Sequence, residues 1–314
     1  MINVAALDLG TNTFRLMVAE VEAGKALRSI RKEQVITRLG GGFDKATGRL
    51  SDAALDRAGE TLRFFARVLA EEKVDAIAAK ATAIVREATN GVEFLDMAGR
   101  ILGFDVRTLS PEEEAAVALR GILAYNPPVD GPFVTLDVGG GSAELALVVS
   151  DELRGWVSMP VGVVDIAERV LADTDPPSEF SLAECENEVT ESLEAARKKL
   201  GAPEYVDVVV GTGGTATSMA AIDLGLEEYD EEAVQNHRLS LEYIRELESR
   251  LASLSFAERS EIFPLGGGRE DVIIPGIITT RVTLEIFSAG EMLVSDAGLL
   301  EGLALTCTDK IERR

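Results

Sequence analysis

Apolar positions along this chain switch between a two-residue period in short runs and a 3.6-residue period in longer ones, the mark of an α/β protein. Runs ending at Leu9 and starting at Phe14 predict a hairpin, and residues 32–39 add a third strand that ends at Gly40-Gly41-Gly42. Ser51 then caps a helix to about residue 73, with Leu55, Ala58, Leu62, Phe65 and Leu69 on one face. A strand at 74–80, a helix at 94–102 and a strand at 104–109 follow. After a turn or hinge at 125–131, which contains Pro127-Pro128, the pattern begins again. It predicts a hairpin over 133–149, a third strand at 156–160 and helices at 161–171 and 182–200. A strand at 205–210, helices at 240–254 and 272–287, a strand near 292–295 and a last helix complete it.

The repetition is closest in the two hairpin turns. Leu7-Asp8-Leu9-Gly10-Thr11-Asn12-Thr13-Phe14-Arg15 and Leu136-Asp137-Val138-Gly139-Gly140-Gly141-Ser142-Ala143-Glu144 share one layout, offset by 129 residues (137 minus 8). Each copy ends in an acidic turn, at 20–25 and at 150–155. The duplication implies two like domains facing one another across a cleft. Three glycines let a backbone turn sharply with uncovered N–H groups, which suits a phosphate. Asp137 and Glu144 bracket the turn where a hard cation such as magnesium could bridge them to phosphate oxygens. Read alone, the second turn fits a tight glycine hairpin equally well.

Other candidates are weaker singly. Arg86, in Ala81-Thr82-Ala83-Ile84-Val85-Arg86, could clamp a phosphate with its planar fork, or pair with a nearby acid. In Ser110-Pro111-Glu112-Glu113-Glu114, Ser110 reads as N-cap, Pro111 as the first helical residue and Glu113 as the partner in a capping box. Glu114 shares a face with Val117, Ala118 and Gly121, small residues that admit a neighbouring element; desolvation there would raise its pKa and suit a base acting on water. Gly211-Thr212-Gly213-Gly214-Thr215-Ala216 fits a dinucleotide fingerprint after a strand, but the acidic loop at 227–232 stands where a second parallel strand should begin. No GxxxxGK[ST] occurs, and the lone His237 sits in a polar loop context, which argues against a His-based triad.

Composition narrows the setting. With 314 residues, 46% of them hydrophobic, the chain can bury one large or two ordinary cores. No run reaches membrane-span length, and residue 1 leads straight into a strand without a basic leader, so a cytoplasmic protein is expected. Cys185 and Cys307 read as buried thiols. A net charge of −23 speaks against a nucleic-acid surface, and leaves open how a polyanion would be attracted. Arg15, Lys80, Arg86 and Arg269, with Arg38, are expected to gather along the cleft as the answer.

Five motifs then stand in order: Asp8-x-Gly10-Thr11-Asn12-Thr13-Phe14-Arg15, Ala81-Thr82-Ala83-x-x-Arg86-x-Ala88-x-Asn90, Glu112-Glu113-Glu114-Ala115, Asp137-x-Gly139-Gly140-Gly141-Ser142-x-Glu144 and Gly211-Thr212-Gly213-Gly214-Thr215-Ala216. Together they resemble the exopolyphosphatase/guanosine-pentaphosphate phosphatase family, over nearly the whole chain and without the C-terminal helical module of its longer members. The resemblance implies a duplicated ribonuclease-H-like fold of the actin, sugar-kinase and chaperone ATPase superfamily, with an interdomain cleft. Domain I would take residues 1–124 and 296–314, and domain II residues 125–295.

It further implies that Glu114 is the catalytic carboxylate acting on water and that Arg86 neutralises charge on the transferred phosphoryl group. Asp137 and Glu144 would hold Mg2+, or Mn2+ in its place, with Asp8 as their counterpart in the first copy. Thr11, Asn12, Thr13 and Arg15, with Gly139, Gly140, Gly141, Ser142, Gly213, Gly214 and Thr215, would surround phosphate. Ala143 stands where the family commonly has threonine, and Pro111 where it has glycine. The expected activity is release of the terminal phosphate of inorganic polyphosphate, with guanosine pentaphosphate (pppGpp), a stringent-response substrate, as the alternative. An actin-like or kinase-like ATP-binding protein is the alternative of another class. A homodimer is expected by family analogy, with no nucleic acid or membrane partner.

Overall fold

The computed structural model describes residues 2–21, 27–44, 46–266 and 268–312, with side chains as far as residue 308. The chain separates into two compact α/β units, Met1–Ala124 with Ala297–Arg314, and Tyr125–Asp296.

In the first unit, β1 (Ile2–Leu9) and β2 (Thr13–Val21) form an antiparallel hairpin, and β3 (Arg28–Ile36) adds to β2 antiparallel. The chain leaves through α1 (Asp52–Glu71) and returns as β4 (Ala76–Ala81), parallel to β1. Two helices, α2 (Ala83–Glu87) and α3 (Gly91–Leu102), precede the two-residue β5 (Arg107–Thr108), and α4 (Pro111–Tyr125) ends the run. The sheet order is β3-β2-β1-β4-β5. Ser51 caps α1 by accepting from the Ala54 N–H at 3.3 Å, and Ala58, Leu62, Phe65 and Leu69 of its apolar face are buried in the core of this unit. Burying a side chain of the size of Leu62 or Phe65 stabilises by about 1.5–3 kcal/mol.

The second unit repeats the plan. It has the hairpin β6 (Phe133–Val138) and β7 (Ala143–Val149), then β8 (Glu152–Met159), all antiparallel. Helices α5 (Val163–Arg169) and α6 (Glu179–Leu200) lead to β9 (Val209–Thr212), parallel to β6. Then come α7 (Gly213–Asp223), α8 (Glu231–Val234), β10 (Arg238–Ser240), α9 (Leu241–Ala252), α10 (Phe256–Ser260), α11 (Ile273–Ile286) and β11 (Glu291–Ser295). The order is β10-β11-β9-β6-β7-β8, so the first sheet recurs with one extra antiparallel edge strand, β10. Even the irregularities match: the register shifts between Val18 and Ala19 in one copy and between Leu147 and Val148 in the other. This is the duplicated ribonuclease-H-like fold.

The last helix, α12 (Leu299–Glu312), packs on β1, β2 and β4 of the first unit. It also meets α4 so closely that neither partner tolerates a side chain. A Cβ on Gly302 would stand 1.9 Å from the Val117 carbonyl oxygen, and one on Gly121 would stand 2.0 Å from that of Gly298. The small face that carries Glu114 is therefore the face α12 requires.

Several expected boundaries move. The strand expected at 205–210 starts only at Val209, because Val206 and Asp207 bond singly to Phe287 and Pro132 outside the ladder. The strand at 104–109 shrinks to β5. The acidic turn at 150–155 narrows to Ser150-Asp151, both at positive φ (54° and 60°), a two-residue hairpin turn matching strand twist. Its counterpart at 20–25 lies outside the described residues from 22 onward. Cys185 and Cys307 are buried thiols.

Candidate active-site residues

In the second unit, the two glycine turns lie side by side because their parent strands are parallel neighbours. Asp137, near the end of β6, stands opposite Thr212, at the end of β9. Gly213 follows at φ +75°, and a Cβ there would come within 2.5 Å of the Asp137 Oδ1, so the carboxylate lies directly over this residue. On its other side Asp137 is in register with Glu144 of β7. Glu144 Oε1 accepts from the Ser142 hydroxyl at 2.6 Å and from the Ser158 hydroxyl at 2.8 Å. Burial pushes the Glu144 carboxyl above its ordinary range; the Ser142 bond opposes this and the Asp137 charge adds to it. Ser142 thus spends its hydroxyl on Glu144 in this arrangement.

The Gly139–Ser142 turn is closed by the Gly139 N–H donating to Ser142 O (2.9 Å). It is braced from outside, since Val163 and Val164 donate to the carbonyls of Gly139 and Gly140 at 3.0 and 2.9 Å. The second turn opens the 11-residue helix α7, whose N-terminal N–H groups and dipole favour an anion. Thr215 is buried, and a Cβ on Gly276 of α11 would come within 2.7 Å of both its Oγ1 and its Cγ2, so its side chain packs against α11 and the turn offers a ligand chiefly its backbone. Arg269 lies against Gly214, with its Nη1 donating to the Ser218 hydroxyl at 2.7 Å and to the Gly214 carbonyl at 3.4 Å.

The first unit holds the counterpart turn with different chemistry. Gly10 N–H closes it onto Thr13 O at 3.1 Å, and Arg38 and Gly40 brace it through the carbonyls of Asn12 and Thr11 at 2.8 and 2.9 Å. Asp8 is 8% exposed, and its register neighbours are Arg15 on β2 and Lys80 on β4. Thr11 and Asn12 are exposed on the turn.

Arg86 and Glu114 come together in this unit. Arg86, on α2, donates from Nη1 to the Leu109 carbonyl at 2.6 Å and lies 3.6 Å from Glu114 Oε2. Both side chains remain about 30% exposed (28% and 32%), enough to meet a ligand. The other two glutamates of the triplet do different work. Glu113 accepts from the Ser110 N–H at 2.8 Å while Ser110 Oγ accepts from Glu113 N–H at 3.1 Å, a reciprocal cap that lowers the Glu113 pKa. Glu112 is exposed. Asn90 serves the fold, bonding both the N–H and the carbonyl of Leu50 at 2.9 and 3.1 Å.

Two hard carboxylates in register, Asp137 exposed and Glu144 half-buried with a raised pKa, fit a divalent cation. Among the described residues no three His, Cys, Asp or Glu side chains converge into a cage. This donor set suits magnesium, which keeps waters and shares substrate phosphates. Asp8 is a poorer candidate ligand, because cations already flank it.

Ser158 was not foreseen, since strand pairing alone reveals it. Neither was Tyr229, which is 43% exposed and donates to Asp296 Oδ1 at 2.5 Å. Burial and Asp296 push its phenol well up, opposed by a hydrogen bond with Thr217. Thr217 in turn donates to Gly213 O at 3.1 Å, which puts an aromatic ring near the second glycine turn.

Residues 17–310 match the Ppx/GppA phosphatase family. A Mycobacterium tuberculosis protein named exopolyphosphatase 2 is 31% identical, with 96% of this chain aligned to 98% of that one. An Aeromonas salmonicida guanosine-5'-triphosphate,3'-diphosphate pyrophosphatase is 29% identical over 95% of this chain, which spans only 58% of that longer protein. Among solved structures, an Aquifex aeolicus Ppx/GppA family member superposes with a TM-score of 0.86 at 30% identity, covering 100% of this chain and 99% of that one. An exopolyphosphatase from Cytophaga hutchinsonii gives 0.86 at 26% identity, covering 98% of each. The chain therefore belongs to the Ppx/GppA phosphatase family.

Proposed function

We propose that this protein is an exopolyphosphatase, a magnesium-dependent phosphoanhydride hydrolase that releases terminal orthophosphate from inorganic polyphosphate. The observation that carries the reading is the opposed Asp137–Glu144 pair beside two glycine turns, in a chain of which 96% aligns to 98% of a protein named exopolyphosphatase 2. Glu114 orients the attacking water and takes its proton, while Arg86, 3.6 Å from it, stabilises charge spreading over the phosphoryl oxygens. The Gly139 N–H is engaged in closing its turn, so Gly140, Gly141 and Ser142 offer the backbone donors there. Gly213, Gly214 and the guanidinium of Arg269 serve phosphate at the start of α7, and Thr11, Asn12, Thr13 and Arg15 serve it in the first unit. Magnesium bound by Asp137 and Glu144, or manganese in its place, would neutralise phosphate oxygens.

One observation favours the pppGpp reading as a second choice: Tyr229, near the α7 turn, offers a ring for a base to stack on. Family resemblance adds a homodimer, a cytoplasmic setting, no nucleic-acid partner and, for the pppGpp reading, a stringent-response role. No helix among the described residues is long and apolar enough to cross a membrane.

The test is phosphate release from polyphosphate, pppGpp and ATP with magnesium. Polyphosphate should turn over fastest and ATP barely; ATP as the preferred substrate would contradict the reading. Glu114→Gln should fold normally and lose about 10²–10⁴-fold in turnover.

A further inference from the structure

The buried charge least explained by this reading is Arg259, on α10. Its side chain is 95% covered (5% exposed), in a position where an unpartnered cation would be costly. It reaches four groups. Nη1 donates to the carbonyls of Leu254 at 2.5 Å and Leu251 at 3.5 Å, just beyond and at the C-terminal end of α9. Nη2 lies 3.5 Å from Asp175 Oδ1, and Nε donates to the Glu270 carbonyl at 2.7 Å.

That last bond lands in the loop that presents Arg269. The Glu270 carboxylate folds back on its own loop, with Oε2 accepting from the N–H groups of Gly268 and Arg269, each at 2.7 Å. The Arg269 N–H also donates to Leu265 O at 3.1 Å, and its carbonyl accepts from Val272 and Ile273 at 3.2 and 3.0 Å, where α11 begins. Backbone on both sides of Arg269 is thereby fixed, and its guanidinium is delivered to Gly214 and Ser218 at the first turns of α7. The same α10 helix is itself pinned, because Ser255 and Glu258 form a complete capping box and Phe256 N–H donates to both oxygens of Asp175 at 2.7 and 2.8 Å.

We infer that Arg259 is a positioning residue for phosphate recognition: by gripping the Glu270 carbonyl it holds residues 268–272 in the one shape that places the Arg269 guanidinium at the Gly213–Gly214 turn. The inference rests on the proposal that this turn takes phosphate. A planar, multiply donating guanidinium is suited to the task, since it joins the end of α9, the Asp175 loop and the Arg269 loop at once. Lysine, with one compact ammonium, cannot span the same groups. Its loss should act on binding, because small displacements of a positioned charge are felt strongly.

The experiment measures tripolyphosphate affinity by calorimetry and steady-state polyphosphate hydrolysis for wild type, Arg259→Lys, Glu270→Gln, Arg269→Ala and the double variants with Arg269→Ala. Arg259→Lys should weaken tripolyphosphate binding and raise KM about tenfold, with kcat changed far less. Glu270→Gln, on a more accessible side chain, should give the same split with a smaller size if Arg259→Lys fails to fold. In the Arg269→Ala background neither substitution should weaken binding further, since the group they position is gone. Equal losses with and without Arg269, or unchanged affinity in Glu270→Gln, would overturn the inference. Because binding is read separately from turnover, tight, Arg259-dependent binding without phosphate release would sink the proposed activity and leave the positioning role standing. No tripolyphosphate binding by the wild type would sink both.

Discussion

The same row of the sheet carries opposite charge in the two units. Across the first sheet, in register, run Gln34, Arg15, Asp8, Lys80 and Arg107: three cations against one carboxylate. Across the second run Ser158, Glu144, Asp137, Thr212 and Ser295: two carboxylates, two hydroxyl residues beside them and a third at the end. Strand order, turn closure and register shift are shared; the side chains on this row are not. Residues opposite one another on neighbouring strands share a face, so each row acts as one electrostatic surface. The duplicated fold thus presents two chemically different rows at the same place in its two sheets. On the proposed function, one row would attract phosphate directly and the other would need a cation first. The proposed function then gives a chain at −23 a way to serve a polyanion, because nearby charges, more than net charge, set the field a ligand meets.

If that contrast is real, substitutions in the two rows should fail differently. Arg15→Gln removes a cation from the first row; it should raise the polyphosphate KM by about tenfold, roughly the worth of one lost charge-assisted bond, with the effect shrinking as salt rises. Kinetics at several ionic strengths would show it, and a KM indifferent to both substitution and salt would erase the direct role of this row.

The smallest effect concerns the helix that carries Glu114. The Ser110 N–H holds the Glu113 pKa below its ordinary value, with smaller help from the Ser110 hydroxyl and Lys80. A depressed folded-state pKa adds stability above the unfolded pKa and loses it as pH falls through the folded one. Glu113→Gln should therefore lower the melting temperature slightly at pH 7, and the gap from wild type should close in the acid range below the ordinary glutamate value. The equivalent box on α10 in the second unit, Ser255 with Glu258, has its pKa depressed the same way, chiefly by the Ser255 N–H, and Glu258→Gln should behave alike. A gap that widened on acidification would contradict the cap assignment.

How much of this was legible beforehand follows from the range of the interactions. Local chemistry was open to reading: the Ser51 and Ser110 caps, the α1 face and the offset pair of turns all depend on residues within a few positions of each other. The rows were not, since Lys80 meets Asp8 only through the parallel pairing of β4 with β1, and Ser158 meets Glu144 only through β8. The small face with Gly121 did announce a neighbouring element, but that the neighbour is Gly302 on α12 shows only when the two helices touch. The short α8 and β10 escaped because Gln235-Asn236-His237 is polar and unpatterned, and its ordering comes from partners elsewhere in the same unit. His237 Nε2 lies 2.6 Å from Asp223 Oδ2, at the end of α7, and Gln235 accepts from the Asp296 N–H at 2.8 Å.

The measurement that bears most directly on the contrast is a magnesium titration of polyphosphate hydrolysis in Asp137→Asn beside Arg15→Gln. The account predicts that Asp137→Asn raises half-saturating magnesium by at least about tenfold, on the scale of losing one charged ligand. Arg15→Gln should shift the polyphosphate KM and leave the magnesium midpoint where it was. An unchanged magnesium midpoint in Asp137→Asn would contradict the assignment of the acidic row to the cation.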